Sequence, residues 1–193
     1  MLKYLGVIGY PLTRSLSPAF QQAALDALRL DILYEAWPTP ADGLQTRVTT
    51  LRSPTVLGAN VTIPHKEAVM AMLDEVDEVA GRIRAVNTIV NREGRLFGYN
   101  TDLQGLMRAL RQDGGFEPVG RRVVIAGAGG AARAAVAGLL DAGASSVTII
   151  NRTLSRANGI VEDLRPYADQ RELRRCRRCT LRGRRRCVRV TFC

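Results

Sequence analysis

Residues 123–132 read VVIAGAGGAA, and this stretch decides how the chain folds. The run VVIA is apolar and short, as in a buried parallel strand. Gly127, Gly129 and Ala132 then match the pattern Gly-x-Gly-x-x-Ala, and residues 131–140 have the composition of a helix. Strand, glycine turn and helix in this order predict the phosphate-binding turn of a βαβ nucleotide-binding unit.

Each small residue of this turn has a physical reason. Gly127 permits the tight turn, Gly129 lets the backbone approach a pyrophosphate, and Ala132 lets the helix pack closely on the strand. The alternative is a turn that is merely structural. The residues predicted to contact a cofactor here are Gly127, Ala128, Gly129, Gly130 and Ala131.

The end of the next predicted strand, residues 147–150, indicates which dinucleotide binds. An NAD site places a carboxylate at this point to bind the ribose hydroxyls. This chain instead has Asn151, Arg152 and Thr153, followed by Arg156. Because a guanidinium can hold a 2′-phosphate with two hydrogen bonds, the sequence predicts NADP over NAD. The alternative is that Arg152 is a surface cation.

Upstream, residues 60–66 read NVTIPHK and place a lysine just beyond a predicted strand. Lys3 and Lys66 are the chain's two lysines, whereas the other basic residues are arginines. A lysine can release a proton near neutral pH once it is desolvated, and an arginine cannot. Lys66 is therefore a candidate for proton transfer, with a solvated surface lysine as the alternative.

Further polar side chains lie at predicted turns and strand ends and suggest a pocket for a hydroxy acid. Ser15 and Ser17 are two residues apart, so both hydroxyls could reach one carboxylate. Ser17 could instead cap a helix that begins at Pro18. The other candidates, which supply donors and one carboxylate for ring hydroxyls, are Asn60, Thr62, Asn87 and Asp102.

Alternating helical and strand patterns predict an α/β protein. We expect residues 1–112 to form a substrate-binding and catalytic domain and residues 119–170 to form part of a nucleotide-binding domain. Residues 91–94, NREG, predict a hairpin turn. Further helices are predicted to begin at Pro64 and within residues 74–78.

Charge and cysteine are concentrated at the end of the chain. Residues 171–193 hold ten arginines and one glutamate, which is nearly all of the net charge of +10. We expect this tail to be non-native or disordered, as a misread reading frame would make it. The alternative is a basic module that binds zinc through Cys176, Cys179, Cys187 and Cys193, or that binds nucleic acid. For the rest of the chain we expect neither a metal site nor a nucleic-acid partner.

The composition also predicts a location and an assembly state. No apolar run reaches the roughly 18 residues that a membrane helix needs, and the N-terminus lacks the features of a signal peptide. We therefore expect a cytoplasmic protein without a membrane partner. It would be a monomer or homodimer that acts on a small molecule.

Five motifs, in this order and at these separations, resemble the shikimate dehydrogenase family between about Tyr4 and Tyr167. They are SLSP at 15–18, NVTIPHK at 60–66, AVNT at 85–88, NTDLQG at 100–105 and GAGGAA at 127–132. The resemblance implies an N-terminal α/β substrate domain followed by the first half of a Rossmann-type domain. It also implies NADP-dependent, reversible reduction of 3-dehydroshikimate to shikimate in aromatic amino-acid (chorismate) biosynthesis.

The same resemblance assigns roles to residues. Those that would bind shikimate are Ser15, Ser17, Thr62, Lys66, Asn87 and Asp102. Lys66 would act as the acid/base paired with Asp102, and Glu78 would lie near the cofactor.

Departures from the family keep other readings open. Arg84 stands where the family usually has a small residue, and the family's chain continues where this one has its tail. One alternative is a quinate or quinate/shikimate dehydrogenase, although the presence of both Ser15 and Ser17 favours shikimate. The other is a non-catalytic fragment that binds substrate.

Overall fold

The computed structural model describes residues 2–167, 173–175 and 187–192. They form two compact units. The first comprises the residues up to Gly81 together with Ala85–Asn100, and the second comprises Arg82–Arg84 together with the residues from Thr101 onward. The predicted α/β class is confirmed. The helix at residues 102–112, which was expected to close the first domain, groups with the second unit.

The first unit is built around a mixed sheet of six strands in the order β2-β1-β3-β5-β6-β4. β1 is parallel to β2 and β3, whereas β5 is antiparallel to β3 and β6. The elements are β1 (Lys3–Gly9), α1 (Ser17–Ala27), β2 (Ile32–Pro38), α2 (Leu44–Thr50), β3 (Val56–Val61), β4 (Glu75–Val76), α3 (Glu78–Ile83), β5 (Thr88–Arg92) and β6 (Arg95–Tyr99).

Neighbouring residues of β1 point to opposite faces of this sheet, and each face has its own core. Ile8 belongs to the larger cluster, which includes Trp37 and residues of α2. Val7 belongs to a smaller cluster with Leu25 of α1 and Tyr34. Burial on both faces explains why β1 reads as a continuous apolar run.

The helix predicted to begin at Pro64 is wrong, whereas the helix predicted within residues 74–78 is confirmed, because α3 begins at Glu78. Pro64 lies in a turn, and the next helical residues are a short 3-10 helix, Ala68–Met72. The acidic segment begins with β4 rather than with helix. Asp74 accepts hydrogen bonds from the Leu96 N–H at 2.7 Å and from Arg52 at 2.5 Å, and these long-range contacts override the local preference. The hairpin prediction was right, because Glu93 and Gly94 both have positive φ between β5 and β6.

The second unit contains α4 (Asp102–Gln112), β7 (Arg122–Ala126), α5 (Gly130–Asp141), β8 (Ser146–Ile150), α6 (Leu154–Leu164), β9 (Leu173–Arg175) and β10 (Cys187–Phe192). β7 and β8 are parallel, as the βαβ prediction requires. α5 packs on α4, where Gly138 allows the Met107 side chain to come close, since an added Cβ would lie 3.0 Å from Met107 Cγ.

The sheet of the second unit is larger than the parallel pair that the sequence predicts. Its order is β7-β8-β10-β9, and β10 pairs antiparallel with β8 from Cys187↔Ile150 to Thr191↔Ser146. β9 and β10 both lie in the tail, residues 171–193, which the sequence predicts to be non-native or disordered. The rest of the tail lies outside the described residues.

Gly58 in β3 gives a test of the packing in the first unit. A Cβ on Gly58 would lie 2.2 Å from the Ile89 carbonyl oxygen, whereas a Cβ on Gly81 in α3 would meet nothing within 4 Å. We expect Gly58→Ala to lower the free energy of unfolding by about 2–3 kcal/mol, because backbone must move. We expect Gly81→Ala to raise it by about 0.5–1 kcal/mol. Urea unfolding measures both, and equal effects of the two changes would contradict this account of β3 and β5.

Candidate active site

The carboxyl ends of β1 and β3 are joined by backbone hydrogen bonds just beyond the sheet. The Thr62 N–H donates to the Ile8 carbonyl at 2.8 Å, and the Tyr10 N–H donates to the Ile63 carbonyl at 3.0 Å. Gly9 permits this approach, since a Cβ there would lie 2.4 Å from Thr62 Cγ2. Ligands of parallel α/β sheets bind at this end of the strands.

Asn60, at the end of β3, is oriented by a residue that sequence reasoning missed. The Tyr34 hydroxyl donates to Asn60 Oδ1 at 2.6 Å. Burial raises the pKa of Tyr34 to about 12, so the hydroxyl keeps its proton and remains the donor. The Asn60 carbonyl oxygen is engaged in this way, and its amide group can serve as a donor to a ligand.

Asn87 and Lys66 belong to the same network. The Val61 N–H donates to the Asn87 carbonyl, and the Val86 N–H donates to the Lys66 carbonyl, each at 2.8 Å. The side chain of Asn87 is buried, and its Oδ1 accepts a hydrogen bond from Thr88 Oγ1 at 3.0 Å. The predicted residues Asn60, Thr62, Lys66 and Asn87 are therefore brought together by neighbouring backbone.

Ser15 and Ser17 follow β1 in a short turn that is closed by the Ser15 N–H on the Leu12 carbonyl at 3.0 Å. The alternative role of Ser17 as a helix cap is wrong. Ser17 is the first residue of α1, Leu16 holds the cap position, and no side chain caps the helix. Ser15 Oγ instead accepts a hydrogen bond from the Ser17 N–H at 3.4 Å.

The remaining acid/base candidate, Asp102, is the first residue of α4 in the second unit. A helix N-terminus interacts favourably with a negative charge, so the position suits a carboxylate. Asn100, which opens the motif NTDLQG but was not predicted as a site residue, is buried just before it and donates from Nδ2 to the Ala85 carbonyl at 2.8 Å.

The glycine turn has the geometry that its pattern predicts. Gly127 has φ 127°, a conformation that favours glycine, and its N–H donates to the Ile150 carbonyl at 2.8 Å. A Cβ on Gly127 or Gly129 would meet no atom within 4 Å, so the space above the turn is open. Ala128 lies in the turn, Gly129 is the N-cap, and Gly130 and Ala131 are the first two residues of α5.

Residues 151–156, which follow β8, belong to the second unit, as the glycine turn does. Asn151 Nδ2 donates to the Thr153 carbonyl at 2.7 Å, which folds the segment into a turn, and Arg152 and Arg156 are exposed. Residues 151–156 contain no carboxylate. Glu78 is an exposed residue in the first turn of α3.

The segment Arg82–Arg84 contributes an ion-pair cluster that sequence reasoning missed. Arg82 pairs with Asp141 of α5. Arg84 Nη1 lies 2.6 Å from Asp163 Oδ1, and the nearly buried Arg133 lies 2.6 Å from the other oxygen of Asp163. The side chain of Arg84 thus points to α6, and its φ of 56° explains why glycine suits this position.

Asp163 is held as a carboxylate by these two arginines. Burial by itself raises its pKa, but the hydrogen bonds and charges of Arg133 and Arg84 outweigh burial, and the pKa lies below its usual value of 3.8. Charge-assisted pairs of this kind are the strong ones.

Comparisons with known proteins agree with this arrangement. The family model described as the shikimate dehydrogenase substrate binding domain matches residues 7–89, and the model described as shikimate / quinate 5-dehydrogenase matches residues 112–180. The chain belongs to the shikimate dehydrogenase family. It is 47% identical over 160 residues to the shikimate dehydrogenase (NADP(+)) of Geobacter metallireducens. That alignment covers 83% of this chain and 56% of the relative.

Two solved structures are similar in fold to this chain. The shikimate 5-dehydrogenase of Thermus thermophilus, in complex with NADP(H) and shikimate, is 45% identical with a TM-score of 0.75, covering 85% of this chain and 61% of that one. The ligand-free 5-ketofructose reductase of Gluconobacter sp. strain CHM43 is 36% identical with a TM-score of 0.75, covering 88% and 60%. This member of the shikimate dehydrogenase family thus spans about half the length of the curated relatives it matches.

Two further observations concern the described part of the chain. None of its helices combines the length and the apolar character needed to span a bilayer. Its His, Cys, Asp and Glu side chains form no group of three or more that could hold a metal ion. Cys176, Cys179 and Cys193 of the alternative zinc site lie outside the described residues.

Asp163→Asn tests the ion-pair cluster. We expect the free energy of unfolding to fall by about 2–4 kcal/mol at neutral pH, because the buried Arg133 loses its carboxylate. The pKa of Asp163 is lowered on folding, so its contribution is complete above its unfolded pKa of about 3.8. The contribution is then lost as the pH falls through the folded pKa. The difference in the free energy of unfolding between Asp163→Asn and the unaltered chain should therefore become smaller below pH 3.8.

Arg84→Ala is the matched control, because the Arg84 side chain is 63% exposed. An exposed pair contributes at most about 1 kcal/mol. Urea unfolding across this pH range measures all three chains. If the loss in the free energy of unfolding caused by Asp163→Asn does not change with pH, the Asp163 carboxylate does not stabilise the fold through its ion pairs.

Proposed function

We propose that this protein is an NADP-dependent shikimate dehydrogenase that interconverts 3-dehydroshikimate and shikimate. Residues up to 112 would bind the substrate, and residues 119–170 would contribute to the nucleotide site. The observation that carries the proposal is the set of polar groups fixed at the carboxyl ends of β1 and β3, with Lys66 beside them. The names of the relatives from Geobacter and Thermus support the same activity.

The side chains of the first unit suit a polyhydroxylated carboxylic acid. The hydroxyls of Ser15 and Ser17 would bind the carboxylate, because each can donate one hydrogen bond to it. Asn60, Thr62 and Asn87 would bind ring hydroxyls. Asn60 presents an amide group already oriented by Tyr34, so little freedom is lost on binding.

Lys66 would transfer the proton of the reaction. When a ketone is reduced, its oxygen takes up a proton, and a positioned ammonium can supply it. We propose that Asp102 pairs with Lys66, orients its ammonium and shares this proton. In the direction of oxidation the same amine would accept the proton of the hydroxyl.

The nucleotide segment fits NADP. The open space above Gly127 and Gly129 leaves room for a pyrophosphate at the N-terminus of α5, where backbone N–H groups bind phosphate. Arg152 and Arg156, with Asn151 and Thr153, would hold a 2′-phosphate in a segment without carboxylates. When bound, the nicotinamide carries the hydride. The assignment of Glu78 to the cofactor rests on the family resemblance.

Replacement of Lys66 tests the catalytic assignment, and Lys3 supplies the control. We expect Lys66→Met to lower kcat by about 10²- to 10⁴-fold, which is the usual contribution of an acid/base group. Lys3 donates to the Pro54 carbonyl at 2.8 Å, away from the proposed site, and Lys3→Met should leave kcat unchanged. The measurement is NADPH oxidation with 3-dehydroshikimate, together with shikimate binding by calorimetry.

The outcomes of this assay separate the alternatives. Binding of shikimate without turnover by the unaltered chain would support the non-catalytic fragment. Faster turnover of quinate would support the quinate/shikimate dehydrogenase. 5-Ketofructose is assayed as a third substrate, because the 5-ketofructose reductase of Gluconobacter has a similar structure.

Arg152→Gln tests the cofactor assignment by binding alone. We expect the Kd of NADP⁺ to rise by about 10- to 100-fold, since a charge-assisted contact to phosphate is lost. The Kd of NAD⁺ should stay within about twofold, because NAD⁺ lacks that phosphate. Arg165→Gln, an exposed arginine just beyond α6, is the control and should change neither. A Kd of NADP⁺ that rises no more than the Kd of NAD⁺ would contradict the 2′-phosphate contact, and no change in either Kd would show that Arg152 is a surface cation.

A further inference from the structure

His65 is a buried polar residue for which the proposed chemistry has no use. It is the single histidine of the chain, it precedes Lys66 directly, and it is 2% exposed. Its Nε2 lies 2.6 Å from the Thr39 carbonyl oxygen. Because a carbonyl can only accept, Nε2 must carry the hydrogen of this bond.

The acceptor of this hydrogen bond is itself fixed. Thr39 follows β2 and is 3% exposed. Its N–H donates to the Gly9 carbonyl at 2.9 Å, and its hydroxyl donates to the Trp37 carbonyl at 2.9 Å. The imidazole therefore ties the turn after β3 to a rigid point at the end of β2.

Lys66 lies in the part of this turn that the imidazole anchors. The His65 N–H donates to the Thr62 carbonyl at 2.9 Å, and the His65 carbonyl accepts from Val69 at 3.0 Å. One residue further, the Lys66 carbonyl accepts from Val86 at 2.8 Å. The His65 ring adds a side-chain bond to these backbone bonds, next to the residue whose amine must be placed.

We propose that His65 is a positioning residue for Lys66. Its hydrogen bond to the Thr39 carbonyl fixes the backbone from which the lysine side chain projects. The proposal deepens the proposed function, because it matters for turnover only if Lys66 transfers the proton. The competing reading is a space-filling core residue, for which the hydrogen of Nε2 has no consequence beyond stability.

Two substitutions of similar size separate these readings. His65→Met fills the volume but cannot donate, whereas His65→Gln can place an amide N–H where Nε2 lies. Thr39→Val is the control, since it removes the hydroxyl bond to Trp37 and keeps the carbonyl that His65 uses. Circular dichroism establishes that each variant is folded.

The experiment measures the chemical reactivity of the Lys66 amine, and this measurement does not require an active enzyme. The chain has two lysines, so limiting acetylation followed by mass spectrometry gives the rate at Lys66 relative to Lys3 in the same molecule. Loss of the hydrogen bond should open the turn and raise this ratio about fivefold in His65→Met. The ratio should stay within about twofold in His65→Gln and in Thr39→Val. An unchanged ratio in a folded His65→Met variant would overturn the proposal.

A measurement on the unaltered chain covers the case in which His65→Met does not fold. Nitrogen chemical shifts of the one imidazole report which ring nitrogen carries hydrogen, and we expect Nε2. A ring protonated only at Nδ1 would overturn the proposal.

Measurement of kcat then distinguishes the positioning role of His65 from the proposed dehydrogenase activity. A lower kcat in His65→Met with unchanged shikimate binding, and recovery in His65→Gln, would support both. A changed acetylation ratio in a chain that never turns over would leave the positioning role standing while the proposed function fails.

Discussion

The junction between the ends of β1 and β3 is the constraint on which the candidate site depends. Two backbone hydrogen bonds cross it, and they form only because Gly9 has no side chain to hold Thr62 away. This contact sets the path of the chain into the turn that carries His65 and Lys66. Asn87 joins through the Val61 N–H, so its position also follows from the end of β3. The site is therefore organised largely by main chain, to which the His65 ring adds one side-chain bond at the Thr39 carbonyl.

The second unit has a different kind of organising contact, which is electrostatic and partly buried. Asp163 binds two guanidinium groups, and the one from Arg133 is nearly excluded from water. A buried arginine is costly without a carboxylate partner, so α5 and α6 are coupled through this pair. The Arg84 contact is more exposed and contributes less. This contact matters for geometry, because it holds the long Arg84 side chain against α6. The family resemblance leads one to expect a small residue at this position.

Local signals predicted the parts of the structure that local chemistry determines. The glycine turn at Gly127 and the hairpin at Gly94 were predicted because each needs a positive φ, which glycine adopts without strain. The helix predicted within residues 74–78 begins only at Glu78, because Asp74 is held by Arg52 and Leu96, which are distant in sequence. The hydrogen bonds of Tyr34 and His65 could not be predicted, since their partners lie 26 residues away in sequence. β10 was missed because a six-residue strand among arginines gives a weak pattern.

The same backbone fold occurs in proteins with different names, and this indicates which part of the molecule determines substrate specificity. Structures called shikimate 5-dehydrogenase and 5-ketofructose reductase both resemble this chain with TM-scores of 0.75. A shared sheet therefore does not determine the substrate, and the choice must lie in side chains at the strand ends. Because backbone hydrogen bonds hold those ends, residues such as Ser15 or Asn60 can change without loss of the frame. This separation of frame from side chains is consistent with one fold that occurs in proteins of different names.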